Sequence, residues 1–139
     1  MCLMADVEKS NGDPHHTTIR VRYVECDPIG LAHHSSYPVW FEMGRTELFR
    51  SRSATDYRAM EAAGAFLAVT ALSIRYRRPA RYDDVLELET VITRIGRARI
   101  DHAYTLRCNG VVITTAESTL ACLNADGQPC ALPDAISGR

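Results

Sequence analysis

"VECDPIGLAHHSSYPVWFEMGRTE", residues 24–47, sets a carboxylate, a glycine, two adjacent histidines, two serines and a proline directly before the most apolar helical stretch of the chain. From Tyr37 onward, Tyr37, Trp40, Phe41, Gly44 and Leu48 recur at helical spacing. Val39, Met43 and Phe49 widen the apolar surface, which predicts a helix buried on most sides. Ser35 and Ser36 are candidate N-caps, and Pro38 suits a first turn. Glu42 with Arg45 or Thr46 is expected to form the polar face. Gly44 inside the apolar stripe predicts close approach by another backbone, at a propensity cost of about 1 kcal/mol.

Upstream of this stretch, Ile19, Val21 and Tyr23 alternate with Arg20 and Arg22, the pattern of a strand with one buried face. Asp27, Pro28 and Gly30 break it. Downstream, residues 55–64 read as a short helix capped by Thr55 or Asp56 and stopped by Gly64. Four strands follow, at 65–77, 84–94, 98–108 and 111–124. In the second of them Leu86, Leu88 and Ile92 point in while Glu87 and Glu89 point out. Asn109-Gly110 is a strong hairpin signal. This order predicts an α+β fold with an antiparallel sheet. One face of that sheet must wrap the long helix, the arrangement called a hotdog. Residues 17–132 are expected to form that single domain, between a flexible leader at 1–16 and a flexible tail at 133–139.

A chain of 139 residues suits one domain, and a domain near this size buries roughly 70% of its unfolded surface. The net charge of −1 leaves no basic footprint for nucleic acid. Arginines gather at Arg75, Arg77, Arg78 and Arg81, and again at Arg94, Arg97 and Arg99. Most are expected to be solvated, although a local patch can hold a phosphate-bearing ligand. The five cysteines are odd in number and include no CxxC pair, which predicts reduced thiols and a cytoplasmic protein. No window of about 18 apolar residues is present, so no membrane span is expected. His15 and His16 read as an exposed, flexible pair.

Asp27 lies where a strand ends, Gly30 lets the loop turn, and a helix N-terminus follows within a few residues. The first amides of a helix lack intrahelical partners and carry the positive end of its dipole, which suits an anion. In acyl transfer that anion is the oxygen of the tetrahedral intermediate. A carboxylate opposite it serves as general base or nucleophile. An Asp before Pro and Gly is also an ordinary turn residue, so the residues alone point to an anion or acyl site and no further. His33, His34 and His102 have no acidic or cysteine partners at metal-ligand spacing, and Ser35 and Ser36 lie in no nucleophile elbow. Neither a metal nor a separate cofactor is expected.

Residues 21–50 resemble the signature of the hotdog acyl-CoA thioesterases of the 4-hydroxybenzoyl-CoA thioesterase and YbgC-like type. Cys26, Asp27, Gly30, His34, Tyr37, Phe41, Glu42, Arg45, Thr46 and Glu47 match it in order and without gaps, and residues 78–90 match the family's strand entry. The resemblance spans roughly 17–124. It implies an acyl-CoA substrate, with Asp27 as the catalytic carboxylate. The His34 N–H would be the oxyanion donor, its imidazole would assist, and Gly30 and Tyr37 would shape the site. It implies homodimers joined edge to edge by their sheets, often paired into homotetramers, with active sites at the dimer interface. Thr70 and Ser73 would then face the acyl group, and Arg97 and Arg99 the CoA phosphates. His33 departs from the pattern, and the turn and the helix resemble different branches. Two other expectations remain open: a hotdog hydratase or dehydratase acting on acyl-CoA or acyl-carrier protein, and a non-catalytic acyl-CoA-binding module.

Overall fold

The computed structural model describes residues 12–53 and 55–137. Five strands, β1 (His15–Arg20), β2 (Phe66–Tyr76), β3 (Val85–Ile95), β4 (Arg99–Cys108) and β5 (Val111–Leu123), form one sheet in the order β1-β3-β4-β5-β2. Every pairing in it is antiparallel. The helices are α1 (Ser36–Arg52), α2 (Tyr57–Ala62) and α3 (Asp134–Ser137), with a single 3₁₀ turn at Tyr23–Glu25. The fold is thus α+β, a curved antiparallel sheet with the long helix α1 packed on one face. Among the described residues no helix is long and apolar enough to cross a membrane.

The expected alternation in β3 is realised: Leu86, Leu88 and Ile92 are buried under α1, and Glu87 is exposed. The β4–β5 hairpin turns at Asn109 (φ 51°) and Gly110 (φ 80°), the left-handed pair that matches strand twist. Two contiguous cores fill the space between α1 and the sheet. One gathers Trp40, Phe41, Leu88, Tyr104 and Leu106; the other gathers Leu48, Ile92, Ile100, Leu120 and Leu132. Each such side chain contributes about 1.5–3 kcal/mol by leaving water. Gly44 sits where α1 meets β3: a Cβ there would lie 2.7 Å from Leu88 Cδ2 and closer still to Thr90 Oγ1. The close approach is therefore made to sheet side chains, not to a backbone.

Several local expectations are corrected. Ile19 and Val21 are buried, but Tyr23 is 80% exposed, because β1 ends at Arg20 and the chain winds into the 3₁₀ turn. Tyr23 packs edge-on against Tyr82 instead. Val39 and Met43 are exposed, so α1 is buried on one side of this chain and keeps an apolar flank. Arg45, expected on the polar face, is 7% exposed and donates to the Tyr104 hydroxyl at 3.1 Å. β1 begins at His15, earlier than expected, so His15 and His16 belong to a strand, and His16 Nδ1 lies 3.7 Å from a Glu87 oxygen. The segment 133–139 contains the turn of helix α3, with Ile136 packed on the second core. Residues 1–11 of the expected leader, with Cys2, lie outside the described residues.

Candidate functional site

The loop from Cys26 to Ala32 closes on itself and is stapled to the segment before β3. Asp27 N donates to Leu31 O at 2.7 Å, Gly30 N to Asp27 O at 3.0 Å, and Ala32 N to Ala80 O at 2.8 Å. Gly30 has φ +83°, a conformation other residues adopt at a cost. The Asp27 carboxylate takes part in this fold-back through one oxygen: Oδ1 accepts from the amides of Ile29 and Leu31, each at 3.0 Å. Its other oxygen has no partner among the described residues. The first oxygen thus orients the group within its own loop.

Glu25 anchors the loop to the helix. It is 8% exposed, its carboxylate accepts from Arg22 N at 2.8 Å and from Trp40 Nε1 at 2.9 Å, and Arg22 Nη2 lies 3.1 Å away. Its carbonyl accepts from His33 N at 2.8 Å and from Ser36 Oγ at 2.9 Å. Burial pushes the Glu25 pKa up, but the hydrogen bonds from Arg22 and Trp40 outweigh it and hold the group below the ordinary carboxylate range. Ser35 occupies the N-cap position of α1 without a side-chain cap bond; its hydroxyl lies 2.7 Å from His33 Nδ1. Ser36, the other candidate cap, is already helical.

Between these two anchors lies His34. Its carbonyl accepts from the Tyr76 hydroxyl at 3.1 Å, and its amide has no acceptor among the described residues. An unpaired N–H just ahead of α1, with its carbonyl held, is a fixed donor at the positive end of a helix dipole. The His34 ring stacks on His33 with centroids 4.2 Å apart. Asp27, His34 and Tyr37 line one cleft of about 320 Å³, together with Tyr76, Arg77 and Arg78. Tyr37 is buried, and its ring meets Tyr76 edge-on at 4.9 Å. Burial raises the pKa of both phenols, so both stay protonated at neutral pH. The Cys26 thiol is also pushed up, by burial first and then by the charges of Asp27 and Glu25, so it remains a thiol rather than a nucleophilic thiolate. Among the described residues no three His, Cys, Asp or Glu side chains are grouped to hold a metal.

The other expected site residues lie elsewhere in this chain. Thr70 is at the β2 bulge and donates to Thr119 O at 3.2 Å. Ser73 pairs with Glu117 on the sheet face away from α1. Arg97 and Arg99 lie at the β3–β4 turn. Arg99 is in register with Ala121, while Tyr76 beside the cleft is in register with Thr114. That separation along β5 is roughly 24 Å. Arg99 is also engaged by Asp101 through two contacts of 3.1 and 3.0 Å. Tyr76, Arg77 and Arg78 carried a faint signal as the end of a basic, apolar strand; Glu25 carried none, because a glutamate after an alternating strand reads as solvated.

A family model described as the thioesterase-like superfamily matches residues 21–139. The acyl-CoA thioester hydrolase YbgC of Escherichia coli is 31% identical over 120 residues, covering 85% of this chain and 89% of that protein. The acyl-CoA thioesterase YbgC of Haemophilus influenzae is 29% identical over 119 residues, covering 85% and 88%. The solved DHNA-CoA thioesterase of Staphylococcus aureus superposes with a TM-score of 0.83 at 28% identity, over 90% of this chain and 89% of that one.

Proposed function

Because the chain belongs to the thioesterase-like superfamily and is a thioester hydrolase, we propose that the cleft around Asp27 is where it cleaves an acyl-CoA to the free acid and CoA. The observation that carries this is the pairing, in one cleft, of a carboxylate with one free oxygen and an unpaired helix-terminal amide. Asp27 takes a proton from water as the water attacks the thioester carbon, or attacks that carbon itself and forms an anhydride that water opens. In both routes negative charge develops on the carbonyl oxygen, which accepts from the His34 N–H. Collapse of the tetrahedral adduct breaks the C–S bond and releases CoA thiolate. The His34 imidazole and the Tyr37 phenol border the reacting carbonyl, and Gly30 keeps the loop clear of it. Arg77 and Arg78 supply cations at the mouth for the CoA phosphates. No step calls for a metal or a separate cofactor.

The working unit in this reading is a homodimer, with a homotetramer as its further pairing. β2 ends the sheet and exposes Val69, Leu72 and Tyr76, which supports a second copy joining there. Thr70 and Ser73 lie on that strand and reach an acyl group only across the joint; Arg97 and Arg99 likewise depend on the second copy. A reducing, cytoplasmic setting fits the free thiols of Cys26, Cys108, Cys122 and Cys130. The test is free-thiol release from short, medium, long and aromatic acyl-CoAs, by the wild type and by Asp27→Asn. Turnover is expected to fall by about 10²–10⁴-fold in the variant. Undiminished turnover removes Asp27 from the reaction.

A further inference from the structure

A second cavity, of about 200 Å³, lies under the C-terminal half of α1. Its walls are apolar, with Leu48 and Phe49 from the helix, Ile92, Ile95 and Ile100 from the sheet, and Ile136 from α3. An apolar cavity of about 150 Å³ is enough to hold benzene, so this one admits a body of roughly six carbons. It is separate from the Asp27 cleft. Tyr37 and Leu48 are roughly 16 Å apart along the helix. Between them Phe41 stacks on Tyr104 with centroids 4.6 Å apart, both side chains buried, and closes the passage.

Arg45, Arg52, Tyr57 and His102 are set into these apolar walls. Arg45 is 7% exposed and donates to the neutral Tyr104 hydroxyl, and no carboxylate among the described residues pairs with it. His102 is 2% exposed, and its Nδ1 has no hydrogen-bond partner among the described residues. A buried guanidinium without a counter-charge and a buried ring nitrogen without a partner are both costly. An anion in the cavity supplies the counter-charge that Arg45 lacks. The apolar walls require the remainder of that ligand to be apolar. We propose that this cavity is a second ligand site, for a small apolar monocarboxylate whose carboxylate pairs with Arg45.

The site is independent of the reaction at Asp27 and does not rest on it. The test uses the full chain with labelled isoleucine methyl groups, titrated with hexanoate and, as the uncharged control, hexanol. Hexanoate is expected to give intermolecular NOEs to the methyls of Ile92, Ile95 and Ile100. These should persist in Asp27→Asn and vanish in Ile100→Trp, which fills the cavity. Losing the ion pair should weaken binding by about tenfold or more, for hexanol in the wild type and for hexanoate in Arg45→Met. Should Arg45→Met fail to fold, the hexanol comparison carries the charge test by itself. The proposal is overturned if hexanoate gives no NOE up to about 10 mM, a concentration that corresponds to only weak binding. It is equally overturned if the NOEs fall on Ile29 beside Asp27 and survive Ile100→Trp, or if hexanol binds as well as hexanoate.

Discussion

At the scale of the residue, the site depends on how two carboxylates are used. Asp27 commits one oxygen to its own loop and keeps the other without a partner among the described residues, and the Asn variant, equal in size, isolates the charge. Glu25 does not line the cleft but holds both of its walls through Arg22, Trp40, His33 and Ser36. Glu25→Gln is expected to destabilise the protein by about 2 kcal/mol, the scale of a hydrogen bond to a charged group. The pH dependence follows from the sign of the shift. Because the folded pKa is depressed, the contribution of Glu25 is complete above the ordinary carboxylate range and is lost as pH falls through the lower native value. Thermal melts of wild type and variant should therefore differ at neutral pH and converge in acid. A constant gap down to the acid limit would show that the charge is not what Glu25 contributes.

At the scale of the element, α1 is shaped by what it rests on. Its propensity favours alanine over glycine at position 44 by about 1 kcal/mol. The space does not, since a Cβ there would sit 2.7 Å from Leu88 Cδ2. Overpacking of this kind typically costs about 1–3 kcal/mol. Gly44→Ala is expected to raise the helicity of the isolated α1 peptide and to lower the stability of the whole protein in chemical denaturation. A stabilised protein would mean that β3 gives way easily at Leu88 and Thr90. The regular elements were legible because their signals are local: period-two alternation in β3, the Asn109-Gly110 turn, and an Asp56 cap that accepts from Ala59 N at 2.9 Å. Tyr23 was misread for the same reason, since nothing local marks the end of β1 at Arg20.

At the scale of the whole molecule, the apolar surfaces that one chain leaves exposed among its described residues include the β2 edge and the flank of α1 bearing Val39 and Met43. The β2 edge is the proposed joint, and Leu72→Lys tests it by setting a charge on that strand. Sedimentation should show the dimer replaced by monomer, with thiol release falling alongside. A Leu72→Lys dimer would move the joint elsewhere, to the α1 flank first. Thr70, Ser73, Arg97 and Arg99 are bound to this prediction, because within one chain they lie away from the cleft.

The sequence by itself determined the element order, the antiparallel sheet, the helix that fills it, and the candidates Asp27, His34 and Tyr37, which sit within one short loop and the helix start that follows it. Those features are written in contiguous residues, so spacing and turn chemistry suffice to read them. Tertiary structure alone decided that Glu25 and Arg45 are buried, that Tyr76, Arg77 and Arg78 line the cleft, and that His102 faces a cavity with Arg45. Each of those depends on residues far apart in the chain meeting across the helix–sheet interface. Burial and hydrogen-bond partners there are set by packing, and no local pattern records them.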